Sequence, residues 1–289
     1  MNKIVIHALI LGALLWAGCK RENEMEKSEA TFASAVDNSK MESEFQQIFD
    51  QADNAARFNP SGKTSDIENW LPECASVTRD SVGAVRTVTV VFDSANYGCL
   101  CRDGLYRKGT IKLEYSGDYT VVGATKTLTL VGYSVNDMVN ETRFFGTKTF
   151  RVEEWGDSTA KFSVRVTDAR AESPEGTIRW NAERTIHRTT GNATPYVHDD
   201  RYEITGSASG TNRNGQAFTC NITRPLVKDL ARCGLRVSRG GRFIDGEWTL
   251  ANAEAGRTLT LNYDPIGGVP CDRVARLTYN GQSRNITLW

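Results

Sequence analysis

Cysteine, histidine and carboxylate side chains are the chemically capable groups of this 289-residue chain, and their spacing decides between redox, metal and hydrolytic chemistry. Beyond Cys19 the thiols are Cys74, Cys99, Cys101, Cys220, Cys233 and Cys271. In an exported chain an even number of them invites disulfides. A zinc site would need four converging ligands, but no CxxC occurs, Cys99 and Cys101 are one residue apart, and only His187 and His198 follow Cys19. Bridges are expected, with no metal and no other cofactor. GSASG at 206–210 puts Ala208 where a nucleophile elbow needs serine. HExxH, GxGxxG and GxxxxGK are absent. His198, with Asp199 and Asp200 after it and Pro195 before it, reads as a solvated turn. His187 reads as a strand residue with a cross-strand partner. Glu153 and Glu154, being adjacent, point to opposite faces of a strand and cannot flank one bond. No catalysis is expected. Tyr97, Tyr106, Tyr119, Tyr133, Trp155 and Tyr196 fall in or near loops or strand ends, where rings can stack on sugars or meet a partner protein.

The N-terminus sets the compartment. IVIHALILGALLWAG, after Lys3, is an apolar run too short to span a bilayer and reads as a signal peptide over residues 1–18. Small residues Ala17 and Gly18 precede Cys19, which resembles the lipobox of bacterial lipoproteins and implies acylation of that thiol. The pattern departs in one respect: Leu15 sits one place further out, with Trp16 in its usual position. Residues 19–30, KRENEMEKSE within them, form a charged tether. Its lysine beside acidic residues is similar to the surface-export signal of lipoproteins in Bacteroidetes-type bacteria. Lys plus Arg equals Asp plus Glu at 35 each, so no net field draws nucleic acid. Membrane association then comes through the lipid anchor.

The elements that must hold these residues follow from periodicity. Residues 31–57 predict an amphipathic helix: Phe45, Ile48, Phe49 and Ala52 form the apolar stripe, opposite Glu42, Glu44, Gln46, Gln47 and Asp50. Because that polar face is acidic, packing on the domain is expected rather than binding to a membrane surface. Phe58, Asn59, Pro60, Ser61 and Gly62 end the helix and open a linker over 58–73. From 74 to 289 the period becomes two, as in Val88, Val90 and Phe92, or Phe162, Val164 and Val166. Turns such as Asn214-Gly215 and Asn280-Gly281 separate about a dozen strands. The fold class is all-β: a long antiparallel meander curled into a sandwich, a barrel or an open half-barrel, with one N-terminal helix.

Two stretches of that meander repeat. CASV, RTVTVVFD and Cys99 align with CGLRV, RTLTLNYD and Cys271, defining units at 74–117 and 233–289. Each unit predicts an internal bridge, Cys233 to Cys271 and Cys74 to Cys99 or Cys101. Such bonds remove about 3 to 4 kcal/mol of unfolded-state entropy in the chain-entropy model. Cys220, in phase with Phe218 and Ile222, faces the core; it either bonds the remaining member of the close pair or stays a buried free thiol.

VVFDSANYGCLCRDGLYRKGTIKLEYSG, YSVND, GTIRWNAERT, DDRYEITGSASGTNRNG and CDRVARLTYNGQSRNITL, in this order, resemble a family of uncharacterised predicted lipoproteins from Bacteroidetes-type bacteria. The resemblance runs from Cys74 to the end and departs at DSANYG, where a shorter turn is usual. It implies an envelope location, most naturally the outer membrane on its periplasmic or external face, and a shared β fold; it transfers no activity. The expected function is therefore a lipid-anchored envelope protein with a structural or binding role towards glycan or another envelope protein. The alternatives are an all-β glycan hydrolase or a half-barrel carrier of lipid or another apolar ligand.

Overall fold

The computed structural model describes residues 29–53, 55–56, 71–92, 95, 98–101, 103–118, 120–194, 199–233, 243–253, 256–267, 271 and 274–287. The signal peptide, Cys19, the tether up to residue 28, Arg57 and the linker up to residue 70 lie outside these, as do Tyr97, Tyr119, Pro195, Tyr196 and His198. Helix α1 covers residues 29–53 and continues at 55–56. The tether therefore ends earlier than residue 30: Glu29 and Ala30 are already helical, and Ala30 is buried.

Among the described residues the strands are β1 (Ala75–Val82), β2 (Val85–Phe92), β3 (Cys99–Leu100), β4 (Tyr106–Tyr115), β5 (Thr125–Asn136), β6 (Glu141–Trp155) and β7 (Ala160–Ser173). Then come β8 (Gly176–Thr190), β9 (Arg201–Thr211), β10 (Ala217–Asp229), β11 (Asp245–Asn252), β12 (Arg257–Asn262), β13 (Val274–Tyr279) and β14 (Gln282–Thr287). One helical turn, α2 (230–233), follows β10. All belong to one antiparallel sheet in chain order, with β3 alone off the path beside β4, and the sheet does not close. Short turns leave a strand no other near partner than its predecessor, which is why chain order becomes spatial order. The Asn280-Gly281 turn has φ of 52° and 75°, the geometry that two-residue hairpins require.

Register sorts the residues by face. One unbroken row on the wet face runs Thr87, Glu114, Thr127, Thr149, Arg165, Glu183, Ser207, Asn221, Thr249, Thr260, Thr278 and Ser283. Its neighbour on the covered face runs Val88, Leu113, Leu128, Lys148, Val166, Ala182, Ala208, Cys220, Leu250 and Leu259. Bulges bend the strands towards that second face. At one of them Gly109, at φ +83°, brings its Cα against Gly132, where an added Cβ would lie 2.2 Å from the Gly132 carbonyl oxygen.

Helix α1 lies in the resulting hollow. Of its described residues only Glu29, Val36, Ser39 and Asp50 are exposed, whereas a helix packed on a flat sheet would show water about half its surface. Met41, Phe45, Ile48, Phe49 and Ala52 join one continuous core with the covered face of the sheet. The small side chains of Ala182 and Ala208 make room at the centre of the trough, and Phe45 meets Trp180 at 6.0 Å between rings. Sandwich and closed barrel are thus excluded for the described sheet: it is an open trough wrapped on its own helix.

Candidate functional site

The acidic side of α1, read from sequence as the face turned from the core, also packs on the sheet. Opposite it the trough supplies cations, so the helix is held by charge as well as by apolar contact. Asp37, wholly buried, accepts from Arg213 through the backbone N–H at 2.7 Å and the guanidinium Nε at 2.9 Å. Glu42 pairs with Arg184 at 2.5 Å, and Asp53 with Lys126 at 2.5 Å. Lys148 donates to Gln46 Oε1 at 3.0 Å and lies 4.8 Å over the Phe49 ring. At the first turn, Asn212 and Asn252 donate to Ser34 Oγ at 3.0 and 2.9 Å. Trp180 Nε1 donates to Asn38 at 2.9 Å.

Arg107 organises the most polar part of this interface. It is 1 % exposed, forks onto Asp103 at 2.7 and 2.9 Å, and donates from Nε to the Tyr133 hydroxyl at 3.1 Å. Burial is the largest single influence and opposes its charge, but the Asp103 carboxylate, Tyr133 and Cys101 together hold the guanidinium pKa above its usual value. Glu44 sits nearby with its carboxyl pKa raised, chiefly by burial and against the pull of Arg107 and Lys40. Its buried Oε2 finds no hydrogen-bond donor among the described residues.

Four cysteines form bridges, Cys74 to Cys99 and Cys233 to Cys271, with Cα separations of 5.7 and 5.3 Å. Cys101 and Cys220 are free and buried, so the bond weighed between them is not made. The reason is topological: Cys101 follows β3 beside β4, whereas Cys220 lies on β10, six strands further along the sheet, and a disulfide needs Cα atoms within about 7 Å. Burial pushes the Cys220 thiol up to about 12, and raises Cys101 as well, so neither is an activated nucleophile.

The other residues singled out from sequence are dispersed. Glu153 accepts from Ser163 and Glu154 from Lys161 at 3.0 Å; both are exposed, and the bulge between Val152 and Glu154 brings them, against the expectation of opposite faces, to the side of the sheet that Ser163 and Lys161 share. His187 is half-buried on β8, opposite Lys161 and Glu203. Ala208 is buried in mid-strand rather than at a turn. Tyr133, expected near a strand end with its ring available, is 1 % exposed because it faces the trough and takes the Arg107 bond. Trp155 packs edge-on against Phe162 beneath the Arg188 guanidinium. Among the described residues no cluster of His, Cys, Asp and Glu suits a metal, and no helix is long and apolar enough to cross a membrane.

Sequence reasoning missed the buried cations. Lys126, Lys148 and Arg184 occupy inward positions of alternating strands, and the one available signal is that a charge falls in phase with apolar neighbours such as Leu128, Phe150 and Ala182. No protein-family model, curated protein or solved structure matches the chain.

Proposed function

We propose that the chain is a lipid-anchored protein of the bacterial cell envelope, tethered through acylated Cys19, whose stapled sheet serves as a scaffold or binding module and not as a catalyst. Its two disulfides mark an oxidising, extracytoplasmic compartment, which supports the export half of this reading. The resemblance of its sequence blocks to uncharacterised envelope lipoproteins points to the outer membrane. One observation carries the choice of role: the hollow where a curved sheet would hold a ligand is filled by the protein's own helix. Recognition of glycan or of another envelope protein then falls to the convex face and the loop tips.

The trough also weighs against an apolar-ligand carrier. Were the helix replaced by a lipid tail, Lys126, Lys148 and Arg184 would lose Asp53, Gln46 and Glu42 as partners inside a low-dielectric hollow, at several kcal/mol each. A glycan hydrolase would need two carboxylates facing each other about 5 to 9.5 Å apart across a cleft, and Glu153 and Glu154 are engaged elsewhere. The test is metabolic labelling with a clickable palmitate in a bacterial lipoprotein-exporting host. Wild type is expected to take up label and float with membranes, and Cys19→Ser to do neither. Equal labelling of both would overturn the anchor, and turnover on a hydrolase panel would overturn the non-catalytic role.

A further inference from the structure

Turn tips are usually polar throughout, but the β5–β6 turn carries two large apolar residues between Asp137 and Asn140: Val139 is 84 % exposed and Met138 64 %. Leu100, 51 % exposed, lies close by, because it pairs with Tyr106 and Tyr106 pairs with Asn136, two strand spacings or about 10 Å away. The tip is fixed. Asp137 Oδ1 accepts from the N–H groups of Val139 and Asn140 at 2.9 and 2.7 Å, and Asn136 accepts from that of Met138 at 2.6 Å. Met138 itself has φ of 72°. Two large apolar side chains are thereby presented to solvent on a fixed turn.

The meander decides which way they point. In an antiparallel path the β5–β6, β9–β10 and β11–β12 turns lie at one end of the sheet. The first turn of α1 is clasped at that same end by Asn212 and Asn252. Cys19 precedes Glu29 by ten residues, a reach of at most about 35 Å. An anchor at Cys19 therefore draws this end of the sheet to the bilayer. We propose that Met138, Val139 and Leu100 form a bilayer-contact point that seats the sheet on the lipid surface beside its anchor. This rests on the anchored reading above. Val82, Val85, Val121 and Val122 are also exposed, but on turns of the opposite end, so they face away.

The test uses the acylated full chain in phosphatidylcholine vesicles, whose neutral surface makes apolar insertion the signal. Val139→Cys and, as the far-end control, Val122→Cys are labelled with an environment-sensitive nitrobenzoxadiazole dye; Cys101 and Cys220, both buried, stay unlabelled. The dye at 139 is expected to shift to the blue and be quenched by doxyl lipid, and the dye at 122 to do neither. Met138→Asn with Val139→Ser is expected to speed release from vesicles about tenfold, with an unchanged urea midpoint. A chain that floats while the dye at 139 stays in water overturns the contact point alone. A chain that does not float overturns the anchor and the contact point with it.

Discussion

Lys126 and Asp53 form the most enclosed ion pair between helix and sheet, each side chain 9 % exposed. Removing one member takes the closest counter-charge from a buried ion, so Lys126→Ala should cost about 3 to 5 kcal/mol in urea unfolding. Lys126→Met with Asp53→Leu should recover most of that loss, because an apolar pair of similar volume needs no desolvation. Lys148 gives a pH signature. Burial is the main cause that pulls its ammonium from 10.5 down to about 8; Arg184 and Lys228 add to this, while Asp50 and Glu42 oppose it. Between those two values the unfolded chain holds the proton and the folded chain has lost it, so stability rises with pH across that window; below pH 8 the full penalty applies. Wild type should therefore gain on Lys148→Met by on the order of 3 kcal/mol between pH 8 and 10.5. Cys220 works the other way above pH 9, its thiol being held up to about 12 by burial, but it does so in both proteins and drops out of the difference. None of these charges was legible as buried, since a period of two assigns a face to a residue and says nothing of what lies opposite. The pairing of Cys233 with Cys271 could be anticipated from the repeated unit, and that of Cys74 with one of the close pair; the choice of Cys99 over Cys101 could not, since the two are only one residue apart.

The strands show the same division. Their number and antiparallel order follow from alternation and short turns, and the sequence count of about a dozen falls short of the observed set chiefly through brief pieces such as β3 (Cys99–Leu100). The second repeat is built differently from its alignment. The strand hydrogen-bonded ahead of Arg257–Asn262 is Asp245–Asn252, whereas residues 234–237, aligned with the first strand of the other copy, lie outside the described residues. Matching CGLRV to the first strand of the other copy passed over DGEWTLAN, a strand whose Trp248 and Leu250 face inward. That the meander curls was expected, but which of sandwich, barrel or open half-barrel it forms was not legible, because curvature accumulates from bulges that a period of two treats as noise. Gly109→Ala tests one of them: with φ +83° and the Gly132 carbonyl in the way, the variant should lose about 2 kcal/mol or more, read as a lowered melting temperature. Replacing Cys233 and Cys271 with serine should cost up to about 4 kcal/mol, as expected for release of a 38-residue loop.

At the level of the whole molecule, the sheet and α1 are one cooperative body, since nearly every side of the helix meets a strand. That arrangement separates a self-filled scaffold from a vessel. In a vessel the helix would be a loosely held cover, and the cations beneath it would await an anionic guest. In a scaffold the helix is core, and its acidic face is the permanent counter-charge of the trough. Sequence alone could give the helix an apolar stripe and an acidic back, but two faces that both find partners require a sheet that curls around them. Hydrogen exchange of residues 29–56 in the folded, oxidised protein, followed by mass spectrometry, bears on this most directly. Amides of α1 should be protected as long as those of β6 to β8, all exchanging through global unfolding. Rapid exchange of the helix while the strands stay protected would contradict the filled trough and return the hollow to a ligand.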